Sequence, residues 1–280
     1  MQADLQQYLD QLPELPDEEI DIGLASLALA ARWYPERSMD RYVNHIEEMT
    51  QKTGEYFTQL CQSGASDSAA TRLAALKEVV HNDYGYTGDQ ENYNSLDNTD
   101  MVQVIERRKG LPVAIAILYI TCGRRQGWQI YGLNFPAHFI TRIDYKGERI
   151  IFDPFNKCNL LEAPDLRKII KDKTGPQTEL SAEFYAPLSQ RAILIRLQNN
   201  RKLRFIEAGD YKNALDTVEV MLHIDPAEFR LFLDAGVLYA RCGQKKKAVK
   251  YLEDYINETP NAQDREEAAL MLRQLKQSMV

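Results

Sequence analysis

Gly110-Leu111-Pro112-Val113-Ala114-Ile115-Ala116-Ile117-Leu118-Tyr119-Ile120-Thr121-Cys122-Gly123-Arg124-Arg125 decides how this chain is read. From Leu111 to about Arg125 it is apolar on every side, which predicts a helix that must be buried all round. Pro112 falls in the first turn, where no backbone N–H is needed and the proline φ is already helical. C-terminal to this helix the pattern changes period. Residues 128–133, 139–145 and 149–152 read as strands, with Asp144-Tyr145-Lys146-Gly147 as a hairpin turn. His138 is expected to open the second strand and Asp153 to end the third, before Pro154-Phe155-Asn156.

N-terminal to the helix, residues 82–97 are polar, glycine-bearing and rich in tyrosine. A connection of this length is expected to be functional or well packed. Asn92, Tyr93, Asn94 and Asn98 lead into a helix from about Thr99 that ends at Arg107-Arg108-Lys109-Gly110. They are candidates for one wall of a pocket, their amides and hydroxyls bonding either a ligand or their own loop. Asp17-Glu18-Glu19 are expected to cap a helix through Leu24, Leu27 and Leu29. A second helix starts near Ser38, with Tyr42, Ile46, Met49, Phe57 and Leu60 on its apolar side. A third starts near Ser68, carrying Leu73, Leu76 and Val80. Residues 1–16, ending in Leu12-Pro13-Glu14-Leu15-Pro16, predict an extended arm.

Composition sets the bounds. The 280 residues are 44% apolar and 27% charged, ordinary for a globular chain of one large or two smaller domains. The net charge of −7 is concentrated at the N-terminus, and no stretch is basic enough for a nucleic-acid footprint. Lys245-Lys246-Lys247 reads as a solvated helix start. No apolar run is long enough to span a bilayer, and the first residues lack a secretory signal. The four cysteines, Cys61, Cys122, Cys158 and Cys242, have neither zinc-site nor disulfide spacing, which suits a reducing cytoplasm. No metal site and no cofactor are expected. His45, His81 and His223 sit in other elements and supply no third ligand to His138 and Asp153.

A cysteine–histidine–aspartate enzyme needs a thiolate, a base for its proton and a carboxylate to orient that base. A nucleophile at the start of a buried helix gains from the helix dipole, with base and acid coming from adjacent strands. This chain has that scaffold, with Pro112 where the thiol would stand. Residues 70–160 resemble the transglutaminase-like superfamily, whose Gly-x-Cys-x-x-x-Ala helix corresponds to Gly110, Leu111, Pro112 and Ala116. The family's histidine and aspartate correspond to His138 and Asp153. Arg108-Lys109-Gly110-Leu111-Pro112, Phe135-Pro136-Ala137-His138-Phe139 and Asp153-Pro154-Phe155-Asn156 further resemble the SirB-one type family of bacterial proteins, which joins such a core to tetratricopeptide repeats. That resemblance implies a bacterial cytoplasmic protein tied by name to control of an invasion regulator. Cys122 lies ten residues along the same helix, about 15 Å from its start, and Cys158 follows Asp153 by five residues. Three roles are open to His138 and Asp153: a buried structural pair, a binding pocket for a carboxylate or amide (with Asn156 beside it), or residual acid–base catalysis.

From about Pro187 the chain is helical and repeats with a period of 34. Gly209 matches Gly243, Ala214 matches Ala248 and Pro226 matches Pro260, the spacing of tetratricopeptide helix pairs. Gly236 and Tyr239 also fall where such a repeat places them, whereas Lys202 stands where a small residue is usual. In this register Arg196, Asn199 and Leu203, then Arg230, Leu233, Val237 and Arg241, face a concave groove suited to an acidic peptide. The alternative is that the repeats pack on the rest of the protein and leave no groove. The acidic N-terminal segment is a candidate occupant, from its charge. The expected fold is α+β. A helical N-terminal segment (1–65) precedes a transglutaminase-like (papain-like) core with a small antiparallel sheet (66–175). All-α repeats (187–280) follow, as 195–228 and 229–262 with a capping helix over 264–277. The expected function is a non-catalytic scaffold or regulator that binds a protein or peptide through the repeat groove. The rival is a hydrolase or acyl-transfer enzyme using His138 and Asp153 with another nucleophile. Neither nucleic acid nor membrane is an expected partner.

Overall fold

The computed structural model describes residues 2–136 and 138–278; Met1, Ala137 of the Phe135–His138 motif and the last two residues lie outside them. The elements in order are α1 (Gln2–Gln11), α2 (Ile22–Ala31), α3 (Asp40–Gln62), α4 (Ala69–Leu76), β1 (Thr87–Gly88), α5 (Met101–Arg107), β2 (Lys109–Gly110) and α6 (Pro112–Arg125). There follow β3 (Gln129–Gly132), β4 (Thr141–Tyr145), β5 (Glu148–Asp153), β6 (Asn159–Leu160), α7 (Ala163–Thr174), α8 (Gln190–Glu207), α9 (Tyr211–Ile224), α10 (Arg230–Arg241), α11 (Lys245–Glu258) and α12 (Ala262–Gln277). The chain divides into two compact units, Met1–Leu9 with Pro16–Leu194, and Asp10–Leu15 with Ile195–Val280.

In the first unit, α6 is the axis. Every residue from Pro112 to Gly123 is buried, as a helix without a polar face requires. Helices α2, α3, α4 and α5 and strand β3 pack around it. Glycines set the closest approaches. A Cβ on Gly23 of α2 would stand 2.7 Å from Thr121, and one on Gly110 would stand 3.0 Å from Val104. The sheet is antiparallel in the order β3-β4-β5-β6, with Thr141 paired to both Gly132 and Phe152. Lys146 (φ 46°) and Gly147 (φ 89°) both take the left-handed conformation that a two-residue hairpin turn demands. A short parallel pair, β1 with β2, ties the start of the 89–99 loop to the approach to α6.

The structure corrects several sequence expectations. Residues 2–11 are helical rather than an extended arm. Leu5, Leu9 and Leu12 are spaced i, i+4, i+7 and are only 4%, 3% and 0% exposed, a spacing that outweighs the prolines, which follow the helix rather than interrupt it. Asp21, not Asp17, caps α2, its Oδ1 accepting from Leu24 N at 2.9 Å. Asp17 instead accepts from the amides of Gln190 and Arg191 at 2.8 and 3.1 Å, so it caps the start of α8. Strand β4 begins at Thr141, and His138 lies in the bend before it. Helices α2 and α3 belong to the same compact unit as α6 and the sheet.

In the second unit, α8–α9 and α10–α11 are hairpins followed by α12. Gly209 and Gly243, 34 residues apart, both close the first helix of a pair in the left-handed conformation, with φ 73° and 76°. Ala214 and Ala248 are fully buried. At Gly236 a Cβ would fall 2.8 Å from Leu252, so α10 and α11 touch where there is no side chain. Lys202, the residue out of pattern, is buried and donates to Asp234 Oδ2 at 2.5 Å, linking α8 to α10. The segment Asp10–Leu15 also belongs to this unit, with Leu12 fully buried.

Truncating α6 tests its role. Leu118→Ala should cost about 2–5 kcal/mol in chemical denaturation, while Leu203→Ala on an exposed face of α8 should stay within about 0.5 kcal/mol of wild type.

Candidate functional site

Asp153 ends β5, and its carboxylate is enclosed by the turn that follows. Oδ1 accepts from the amides of Phe155 (3.0 Å) and Asn156 (3.3 Å), and Oδ2 accepts from Asn156 Nδ2 (2.7 Å). Nε2 of His138 donates to the same Oδ2 at 2.7 Å. An ionised carboxylate only accepts, so this contact puts a proton on Nε2. Burial pushes the Asp153 carboxyl upward. The hydrogen bond and charge of His138, with the Asn156 donors, outweigh it and hold the group below its usual range. The pair is therefore a charge-assisted bond in a largely dry setting.

The ring of Phe155 meets His138 edge to face, with centroids 6.3 Å apart, and meets Tyr93 at 5.8 Å. Gly88 lies beneath Phe155. Its amide donates to Phe155 O at 3.0 Å, and a Cβ there would stand 2.3 Å from the ring. The 89–99 loop is held by a buried network. Asp89 accepts from Asn92 N at 3.0 Å and Arg107 Nη2 at 2.5 Å, and Asn98 Oδ1 accepts from Arg107 Nη1 at 2.9 Å. Asn98 O in turn accepts from Leu111 N at 3.3 Å, just before Pro112.

A cleft of about 460 Å³ opens on this arrangement, lined by His138, Asp153, Phe155 and Asn156, by Gln90 and Tyr93 of the loop, and by Ile169, Asp172 and Lys173 of α7. Of the sequence candidates, His138, Asp153, Tyr93 and Asn156 meet here. Asn92 and Asn98 do not line it. They bond within the loop, Asn98 Nδ2 donating to Asn92 O at 2.7 Å. Sequence reasoning missed Gln90 and the α7 residues. The amphipathic period of α7 was the available signal, since it leaves Asp172 and Lys173 off the buried Leu166 and Ile170 face.

Pro112 occupies the first turn of α6 and is buried. Neither nearby cysteine is an activated thiol. Burial pushes Cys122 up to about 11 and Cys158 up to about 12. Cys158 is 2% exposed. Among the described residues, no group of histidine, cysteine and acidic side chains is arranged to hold a metal ion.

On the repeats, Leu203 and Val237 are exposed, at 42% and 38%. Arg241 is exposed and lies over the Tyr211 ring at 5.5 Å. Arg230 is already engaged by Glu228, through Nε at 2.7 Å. Asn199 and Leu233 are half-buried, and Arg196 is half-buried with its carbonyl accepting from Asn200.

Comparison with known proteins bears on the architecture. The profile of the transglutaminase-like superfamily matches residues 36–199, and that of the tetratricopeptide repeat matches residues 202–273. A UPF0162 protein of Xylella fastidiosa is 25% identical over 255 residues, covering 90% of this chain and 89% of the relative. A UPF0162 protein of Vibrio cholerae is 27% identical over 194 residues, covering 68% and 70%. Human F-box only protein 21 is 25% identical over 186 residues, which is 61% of this chain but 28% of that protein. No helix among the described residues is long and apolar enough to cross a membrane.

Two outcomes follow. With its folded pKa depressed, Asp153 stabilises the fold above the unfolded value near 3.9 and loses that contribution as pH falls through the lower folded value. Asp153→Asn should therefore be less stable than wild type at pH 7 and lose less between about pH 5 and pH 2, read by denaturation midpoints. In the native fold at pH 8, iodoacetamide should alkylate the partly exposed Cys61 and Cys242 and spare Cys122 and Cys158, read by peptide mass spectrometry.

Proposed function

The chain belongs to the transglutaminase-like superfamily, and on that premise we propose that it is a non-catalytic member, a scaffold or regulator that engages a protein partner through its tetratricopeptide repeats. The observation that carries this reading is Pro112 at the first turn of α6. In our reading this is the family's nucleophile position, filled by a residue with neither a thiol nor a titratable group. The buried, raised thiols of Cys122 and Cys158 support it, because neither supplies thiolate chemistry at neutral pH. The pattern of Arg108–Pro112, Phe135–Phe139 and Asp153–Asn156 fits the SirB-one type family, and with it a cytoplasmic bacterial role. Leu203, Val237 and Arg241 of the repeats are all exposed, chemistry suited to an extended acidic peptide.

A second reading is favoured by one observation, the open cleft on the His138–Asp153 pair. With Asp153 orienting the ring through Nε2, a hydrolase of this kind would use His138 as the base that takes a proton from water. The two readings differ in which surface matters. Affinity capture with the wild-type chain, a Leu203→Glu/Val237→Glu/Arg241→Glu variant and His138→Ala separates them. A scaffold should lose its partner only in the repeat variant. A small molecule or modified protein accumulating on His138→Ala would overturn that reading in favour of hydrolysis. Pro112→Cys is a companion test. If this is the inherited nucleophile position, the new thiol should be alkylated at pH 7 in a His138-dependent manner, while Cys158 in the same chain is not.

A further inference from the structure

The residue that opens the Arg108–Pro112 motif takes no part in the His138 cleft. Arg108 closes α5 in the left-handed conformation (φ 58°), which an arginine adopts only at a cost in backbone strain. Its amide donates to Val104 O and its carbonyl accepts from Thr87 N, so the backbone is fixed at this point. The side chain is turned into an aromatic corner. Its guanidinium lies over the Tyr86 ring at 4.8 Å and the Tyr84 ring at 5.8 Å. Nη1 donates to His45 Nε2 at 2.5 Å and to the Tyr86 hydroxyl. The wide helical turn over Lys77–Asp83, with Tyr86 N bonded back to Val80 O, delivers both tyrosines to this corner.

Arg108 is half-buried, and among the described residues no carboxylate lies within ion-pair distance of it. His45 does not compensate. Burial, then the charges of Arg108 and Lys52, push it down to about 4, so it is neutral at pH 7. Glu106, the carboxylate that lines the same cavity, is already taken. It accepts from Arg37 at 3.1 Å, from the Tyr42 hydroxyl at 2.6 Å and from Arg41. Lys52, which lies over Tyr84, has Asp83 and Glu48 for its own charge. Between these groups is a cavity of about 290 Å³ lined by Arg41, Tyr42, His45, Ile105, Glu106 and Arg108. Among the residues that line it, Arg41 and Arg108 are cationic and Glu106 is anionic, and Arg37 engages Glu106 from outside the lining.

We propose that this cavity is a binding site for a phosphate monoester dianion, gripped by the free edge of Arg108 and by Arg41. A phosphate dianion has the charge and the oxygens to engage both arginines at once, whereas a carboxylate has one charge and two oxygens. Arginine's planar fork presents paired donors to phosphate oxygens. Arg108 spends only Nη1 on the protein, which leaves Nε and Nη2 for a ligand. The neutral His45 and the Tyr86 phenol fix the guanidinium without cancelling its charge. The volume admits the phosphate with a few attached atoms, so the ester belongs to a small metabolite or a phosphorylated side chain.

Inorganic phosphate is the first probe, titrated into the full chain at constant ionic strength and followed by ³¹P line broadening and thermal shift. Saturable binding with a rising midpoint is expected, weakened by about tenfold or more in Arg108→Gln and Arg41→Gln. Arg108→Lys, checked by near-UV circular dichroism, keeps the test usable if Arg108→Gln fails to fold, and should also weaken binding because the fork is lost. O-phosphoserine and glycerol phosphate follow, and the tighter of the two identifies the source of the ester. The proposal is overturned if chloride or acetate gives the same midpoint shift as phosphate. It is equally overturned if the arginine variants bind phosphate unchanged, or if neither ester binds.

Discussion

A helix with no polar face leaves the chain little choice. Once α6 is apolar from Pro112 to Gly123, it has to be surrounded, and each surrounding element is fixed by how it reaches that helix. Small residues let α2 lie close, with Gly23 against Thr121, and Gly110 lets α5 and α6 meet at their junction. The sheet covers another side through β3, where Ile130 meets Gly123. Enclosure also determines the ends of α6. Its last turn carries Arg124 and Arg125, which reach out to Glu18 O and Asp21 Oδ2 at 2.8 and 2.7 Å and satisfy the favourable sign for a helix C-terminus.

Two polar groups meet between the 89–99 loop and the end of β5. Asp89, Arg107 and Asn98 form a hydrogen-bonded core for a loop with little regular structure. Asp153, His138 and Asn156 bond to one another at the cleft. Gly88 and Phe155 join the two, because the glycine allows the chain after Asp153 to lie flat on β1. The loop therefore does structural work with its buried amides while offering Gln90 and Tyr93 to the cleft. This division explains why Asn92 and Asn98 bond within the loop while Gln90 and Tyr93 face the cleft.

Periodicity made much of this legible. The all-apolar run announced α6, the alternation announced β3 to β5, and the 34-residue offset announced the paired helices closed by Gly209 and Gly243. The correspondence of His138 with Asp153 was readable only through a resemblance, since fifteen intervening residues hide a 2.7 Å contact. What escaped was long-range or positional. Asp17 looked like a cap for the next helix and instead caps α8, because a capping side chain serves whatever amides the fold brings to it. The prolines after Gln11 drew attention from the leucine spacing that precedes them. Arg108 was legible as the opening of a motif but not in its role, because its lack of an acidic partner is a property of the folded neighbourhood.

The proline at the head of α6 lacks more than a reactive side chain. It has no amide hydrogen, so that point in the helix's first turn offers no backbone donor. Acyl-transfer sites stabilise the charge that develops on the carbonyl oxygen with such backbone donors, and loss of one typically costs about 10²–10³ in rate. On the proposal that position 112 is the family's nucleophile position, two deficits would be bound into one residue. A nucleophile supplied from water or from a neighbouring side chain would then still lack a backbone donor at this point, and a change at position 112 would be needed to supply both together.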